Sequence, residues 1–319
     1  MIVIVGATAS GKTDLAVALA QALGGEIISA DSRQVYQEIS AGTAKPCRDR
    51  AGRVEGVPYH LVNCAPLAET YDAGRFATAA RAVAADISGR GLIPIVAGGS
   101  GLYVRAFLEG LSDLPPRDEG LRRRLEAEAL THGRLSLHER LGRLDPEAAA
   151  AIPANNIQRV VRALEVCELT GHRISTLWKN DKEKLARAHL VPTAAFRIDW
   201  PADDLRRRIV RRAESMWPGM LAEVRGLLRS FTGREPGFKS LGYPEAVACV
   251  RGELEQEEGL RRLVQATCAY AKRQRTWFKH QIAATPLAGG YPKDMMRGAL
   301  AFIAQAPGRS APQDSTARH

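Results

Sequence analysis

The sequence of 319 residues contains no apolar run near the roughly 20 residues a bilayer-spanning helix requires, so no membrane segment is expected. Its first apolar run passes directly into a glycine-bearing loop instead of a cleavage site, so no secretory leader is expected. Five cysteines (Cys47, Cys64, Cys167, Cys249 and Cys268) are scattered without metal-ligand spacing. That pattern argues against a zinc module and fits free thiols in the cytoplasm. No internal repeat is visible. Acidic residues are in deficit: 35 Asp+Glu face 45 Lys+Arg, a formal charge of +10. The excess fits a polyanionic partner or a solvated arginine-rich surface, and charge alone does not choose between them. The length allows two domains, or one core with an insertion, without disulfide staples.

What is present begins at the first residue. The apolar run Met1-Ile2-Val3-Ile4-Val5 reads as a buried strand and leads into Gly6-Ala7-Thr8-Ala9-Ser10-Gly11-Lys12-Thr13. That stretch fits G-x-x-x-x-G-K-[ST], a phosphate-binding loop. Glycines let successive amides wrap an anion. Lys12 supplies a charge for phosphate oxygens and Thr13 a hydroxyl for Mg²⁺. Asp14 to Leu23 follows as a helix with Leu15, Leu19 and Leu23 on one stripe, its N-terminus aimed at the same anion.

Glu26–Ser29 reads as a second strand that delivers Asp31 to the ligand edge of an open α/β sheet, where a turn-capping role is the alternative. Tyr59–Val62 is a candidate third strand, and residues 71–87 form a helix capped by Asp72. Leu92–Val96 is a further strand, ending in Ala97-Gly98-Gly99-Ser100. This alternation predicts a doubly wound parallel sheet flanked by helices. From Leu114-Pro115-Pro116 the texture changes, and residues 117–184 show helical pattern alone. There Gln158, Arg159 and Arg162 share a face, with Val160, Val161 and Leu164 apolar. Strand character returns at residues 196–200. A basic helix from Asp203 follows, in which Arg208 and Arg212 are spaced to clamp one diphosphate and Pro218-Gly219 is expected to break the helix. Residues 239–244 read as a loop, and 257–282 as a long helix ending in interleaved basic and aromatic residues. Trp277 and Phe278 are expected in the core. The organisation predicted is a catalytic core of 1–114 and 195–305, a helical insertion of 115–194, and a disordered tail of 306–319.

These stretches together resemble the bacterial tRNA dimethylallyltransferases. The resemblance is carried by the phosphate loop, Ser29–Tyr36, Gly42-Thr43-Ala44-Lys45-Pro46, Gly98–Tyr103, Asn156–Arg159 with Arg162–Val166, Leu241-Gly242-Tyr243 and Ala271-Lys272-Arg273-Gln274. It implies a P-loop NTPase-like fold with an all-helical insertion gripping the tRNA anticodon stem-loop. It also implies transfer of a dimethylallyl group from dimethylallyl diphosphate to N6 of adenosine-37, in tRNAs reading codons that start with U. By the same resemblance, Asp31 is the general base, the loop 6–13 with Mg²⁺ holds the diphosphate, and Arg208 binds it. Ser100, where the family usually has Thr, is implied to touch the diphosphate or the target nucleotide. The tRNA contacts implied are Asp31, Ser32, Arg33, Gln34, Ser100, Gln158, Arg159, Val160, Val161, Arg162, Lys239 and Tyr243, with Arg122 placed by its distance from Ser100. The protein is expected to act as a monomer away from membranes. Two departures from the family pattern stand out: Tyr59 and Asn63 within Pro58–Asn63, and Pro244 after Tyr243. The rival readings are a P-loop small-molecule kinase, a prenyltransferase of free AMP or ADP, and an RNA-binding NTPase switch. The first two leave the basic helices unused. The third wants an aspartate after the strand 92–96, where Ala-Gly-Gly stands instead.

Overall fold

The computed structural model describes residues 1–305, apart from the side chains at 183 and 184; the expected tail 306–319 lies outside the described residues. The chain divides into two units. One comprises Met1–Leu108 and the chain from Val191 onward, the other Glu109–Leu190.

The first unit is built on a seven-stranded sheet. In chain order its first elements are β1 (Ile2–Gly6), α1 (Lys12–Leu23), β2 (Gly25–Ser29), β3 (Arg53–Val54), β4 (Val57–His60), α2 (Ala73–Gly89), β5 (Ile93–Gly98) and α3 (Gly101–Glu109). Strand β1 is paired on both sides and wholly buried, which is why it reads as an unbroken apolar run. Asp72 caps α2 as expected, its Oδ1 accepting the Arg75 amide at 2.9 Å. The third strand falls earlier than expected. Leu61 and Asn63 take left-handed φ of 59° and 58°, which end the strand at His60. Upstream, Glu55 and Gly56 take φ of 51° and 82° between β3 and β4, the geometry of a tight hairpin turn.

The second unit is all helical: α4 (Glu119–His132), α5 (Arg134–Leu144), α6 (Pro146–Ala151), α7 (Ile157–Thr170) and α8 (Ile174–Ala188). Leu125, Leu137, Leu141, Val160, Val161, Leu164 and Ile174 form its core. The boundaries lie a few residues before those expected. Leu114 packs on the helical core and the Asp113 amide donates to Asp181 Oδ2 at 2.8 Å, so residues 109–114 go with the helices. The Thr193 amide donates to the Met1 carbonyl at 2.9 Å, which ties the return segment to the sheet.

The first unit resumes with β6 (Ala194–Asp199), α9 (Ala202–Leu227), a short 3₁₀ turn (Pro236–Lys239), α10 (Tyr243–Val250), α11 (Gln256–Gln281), β7 (Thr285–Ala288) and α12 (Pro292–Gln305). The strand order is β3-β4-β2-β5-β1-β6-β7, parallel except for β3. Pro286 is tolerated because β7 is an edge strand. Pro218 does not break α9, which runs through it. An interior proline costs about 3 kcal/mol, whereas burying Met220, Leu221 and Val224 beyond it returns ~1.5–3 kcal/mol each. The segment expected as a loop at 239–244 enters α10 at Tyr243, with Pro244 in the first turn, where its missing N–H costs nothing. Phe278 is buried in the core as expected, whereas Trp277 is only half-buried. No helix among the described residues is long and apolar enough to cross a membrane.

Candidate active site

The phosphate loop lies at the C-terminal end of β1. Gly11 caps α1 with φ of 89°, a conformation that favours glycine, so the helix N-terminus opens directly onto the loop. Three loop carbonyls are held by side chains. Lys12 Nζ donates to Ala7 O at 2.7 Å, Arg208 Nε to Ala9 O at 2.7 Å, and Trp200 Nε1 to Ser10 O at 3.0 Å. Holding the carbonyls fixes the loop before any ligand arrives. Gln274 of α11 adds a bridge, accepting the Thr8 amide at 2.8 Å and donating to Gly99 O at 2.7 Å. Gly6, Ala7 and Ser10 are buried, and the Ser10 hydroxyl has no partner among the described residues.

A cavity of about 350 Å³ opens beside the loop. Thr8, Ala9, Lys12 and Thr13 form one end; Asp31, Arg33, Gln34, Arg212 and Lys239 also line it. Burial pushes the Lys12 ammonium down to about 8, with Asp31 opposing the shift and Arg212 adding to it. Burial also lowers Arg212, again opposed by Asp31. Asp31 is therefore the acidic partner common to both cations. Its Oδ1 accepts the amides of Arg33 at 2.8 Å and Gln34 at 3.3 Å, and its Oδ2 accepts from no group among the described residues. Asp31 thus caps the turn through Oδ1 and also lines the cavity.

Several expected site residues are used differently. Arg208 is exposed, stacked over Trp200 at 4.6 Å, and does not line the cavity; Arg212, one turn further along α9, does. Ser100 is buried, accepting the Ser32 amide at 2.8 Å and donating to the Ser32 hydroxyl at 3.1 Å, so its hydroxyl orders the Asp31 turn. Gln34 is spent on Ser29 Oγ at 2.9 Å and Ala44 O at 3.1 Å. Tyr243 is fully buried and is corrected from an RNA contact to an internal support. Val160 and Val161 are likewise corrected, since both sit in the core of the helical unit. In that unit Glu165, fully buried, receives Arg122 at 3.2 Å, Arg162 at 2.8 Å and the Asp118 amide at 2.7 Å. Arg122 also donates to Gln158 at 3.1 Å. Arg159 is exposed with no side-chain partner among the described residues.

Tyr59 was legible only as a departure from the family pattern, yet its ring lines the cavity, and burial raises its hydroxyl to about 12. Its place on the buried face of a strand at the ligand edge was the available signal. Among the described residues no cluster of three or more His, Cys, Asp or Glu could hold a metal ion.

Fold and cavity together define a phosphate-loop protein whose anion site is shared with a carboxylate. The isopentenyl transferase family model matches residues 1–57, and the IPP transferase model matches residues 34–281. The chain belongs to the IPP transferase family. It is 42% identical over 281 residues to the tRNA dimethylallyltransferase of Elusimicrobium minutum, covering 87% of this chain and 90% of that one. With the tRNA dimethylallyltransferase of Anaeromyxobacter sp. (strain Fw109-5) it shares 46% over 284 residues, covering 88% and 92%. Among solved structures, the full-length tRNA isopentenylpyrophosphate transferase of Bacillus halodurans superposes with a TM-score of 0.67 at 34% identity, covering 95% of each chain. A eukaryotic dimethylallyltransferase acting on tRNA gives a TM-score of 0.78 at 26% identity, covering 98% of this chain and 81% of that one.

Proposed function

We propose that the protein transfers the dimethylallyl group of dimethylallyl diphosphate to N6 of adenosine-37 in tRNAs reading codons that start with U. The products are N6-dimethylallyladenosine and diphosphate. The observation that carries this reading is one cavity lined by the phosphate loop, the cations Lys12, Arg33, Arg212, Lys239 and Arg273, and the half-free carboxylate of Asp31. In the reaction the C1–O bond of the diphosphate ester breaks and the C1–N6 bond forms. The exocyclic amine is a weak nucleophile because its lone pair is delocalised, so a base that takes its proton as the bond forms lowers the barrier. Asp31 Oδ2 takes that proton. Lys12 and Arg212 meet the charge that grows on the departing diphosphate. The target base leaves its stack to enter the cavity.

Mg²⁺ fits this donor set without a carboxylate cage, because it binds through few protein ligands and substrate phosphates. Thr13, which lines the cavity, and the diphosphate oxygens would hold it, and it would neutralise charge on the leaving group. The helical insertion grips the anticodon stem-loop, with Gln158 and Arg159 exposed for contact and Arg122 and Arg162 held beside them. At the cavity, Arg33 and Lys239 are the cationic candidates for the flipped nucleotide and its neighbours. The protein works as a monomer in the cytoplasm.

The deciding experiment supplies radiolabelled dimethylallyl diphosphate, Mg²⁺ and unmodified tRNA, with AMP as a parallel acceptor. Label in tRNA alone supports the reading. Label in AMP alone moves the activity to free nucleotides, and ATP consumption without label makes the protein a kinase or NTPase.

A further inference from the structure

Behind the cavity wall formed by Gly42, Thr43 and Ala44 lies a network that the transfer chemistry does not use directly. Glu223 of α9 directs its carboxylate at the start of the loop 40–44. Its Oε2 accepts from the Ser40 amide at 2.8 Å, the Ser40 hydroxyl at 2.7 Å and the Ala41 amide at 3.1 Å. Its Oε1 accepts the Tyr243 hydroxyl proton at 2.6 Å, and that hydroxyl accepts the Gly42 amide at 3.0 Å. Three successive amides are thus turned toward one acid–phenol pair, the arrangement by which backbone concavities hold anions. The pair takes the place of an anion and leaves Gly42, Thr43 and Ala44 to line the cavity. There is no slack in the seat: a Cβ on Gly42 would stand 2.6 Å from the Tyr243 ring. Tyr243 also closes the turn behind the second wall, Lys239-Ser240-Leu241, since its amide donates to Ser240 O at 3.1 Å.

We propose that Glu223 and Tyr243 are a positioning pair that sets the separation of these two walls and thereby the approach of adenine to the allylic carbon. The proposal rests on the transferase reading above. Neither residue lines the cavity, and neither bonds to the phosphate loop. The pair's effect therefore falls on turnover and not on diphosphate affinity, because small displacements of reacting groups are costly.

The test is steady-state transfer by the intact protein with each substrate varied, alongside thermal melting, for wild type, Tyr243→Phe and Glu223→Gln. Tyr243→Phe keeps the ring that packs against Phe238 at 6.3 Å and removes only the hydroxyl. It is expected to lower kcat roughly tenfold while the KM for dimethylallyl diphosphate stays within about twofold. Glu223→Gln can serve Ser40 and Ala41 only by turning its amide N–H toward the Tyr243 hydroxyl, which strands the phenol proton. A loss of similar size is expected. A lowered melting temperature with kcat unchanged in both variants overturns the proposal, because the pair would then only stabilise the fold. A raised diphosphate KM at unchanged kcat overturns it as well. Wild-type protein that labels no tRNA fails the transferase reading itself, which separates that failure from failure of the pair.

Discussion

In the helical unit, carboxylates take up many of the arginines. Glu165 holds Arg122 and Arg162, Glu168 holds Arg124 and Arg140, and Glu128 shares Arg140. Around the cavity the opposite holds: Lys12, Arg33, Arg212, Lys239 and Arg273 have no carboxylate within ion-pair distance among the described residues. The two regions are both basic, but the first spends its charge on packing helices and the second keeps it for a ligand. The cost of keeping it shows in Lys12 and Arg212, both of which burial shifts toward the neutral form. A net charge of +10 therefore overstates the free charge on the insertion and understates how concentrated it is at the cavity.

The largest expected effect tests the cavity side. Asp31→Ala should retain tRNA binding within a few-fold and lose transfer by ~10²-fold or more, measured as single-turnover labelling. Near-normal turnover would remove Asp31 as the base. The next breaks the helical side. Glu165→Ala leaves two largely buried guanidinium groups uncompensated and should cost about 3 kcal/mol of stability in urea unfolding. An unchanged midpoint would mean the arginines are not held there.

A third uses the displaced lysine. Its ammonium is lost as pH rises through about 8, so the KM for dimethylallyl diphosphate should climb above that pH, approaching roughly tenfold per pH unit. Lys12→Arg should flatten the rise. The linked effect on folding has the opposite sign: a lysine held below its ordinary value of 10.5 costs stability at low pH, and that cost is relieved as pH rises from about 8. The smallest effect sharpens the contrast within the insertion. Arg159→Ala should weaken tRNA binding a few-fold and reduce the slope of log affinity against log salt by roughly 0.7–0.9, with stability unchanged. Arg162→Ala should instead lower stability, because Arg162 is tied to Glu165 and to Pro115 O.

The phosphate loop, the alternation of strands and helices, and the helical insertion were legible because each is written in local spacing. What was not legible depends on partners far along the chain. Pro218 reads as a helix stop until the apolar stripe beyond it is seen to be buried. Val160, Val161 and Tyr243 lie within motif stretches, and a motif does not say which of its side chains face inward. Ser100 keeps its hydroxyl, but its partner is Ser32, 68 positions away. That Arg212 lines the cavity while Arg208 stacks on Trp200 depends on a partner outside the helix, which spacing alone does not show. The role of Glu223 depended on a loop about 180 residues earlier and had no local signature.

The strand order also carries a kinetic consequence. Strand β1 is made first, yet its second neighbour, β6, lies beyond the whole insertion, with Ile2 facing Ala194 in register. The β1–β6 pairing thus waits on a chain closure of nearly two hundred residues, whereas α4 and α7 of the helical unit are tied by Arg122 and Glu165, 43 positions apart. Sequence-distant pairings form slowly because closure entropy precedes their reward. Pulsed hydrogen exchange during refolding should find the amides of α4 to α7 protected before those of β1.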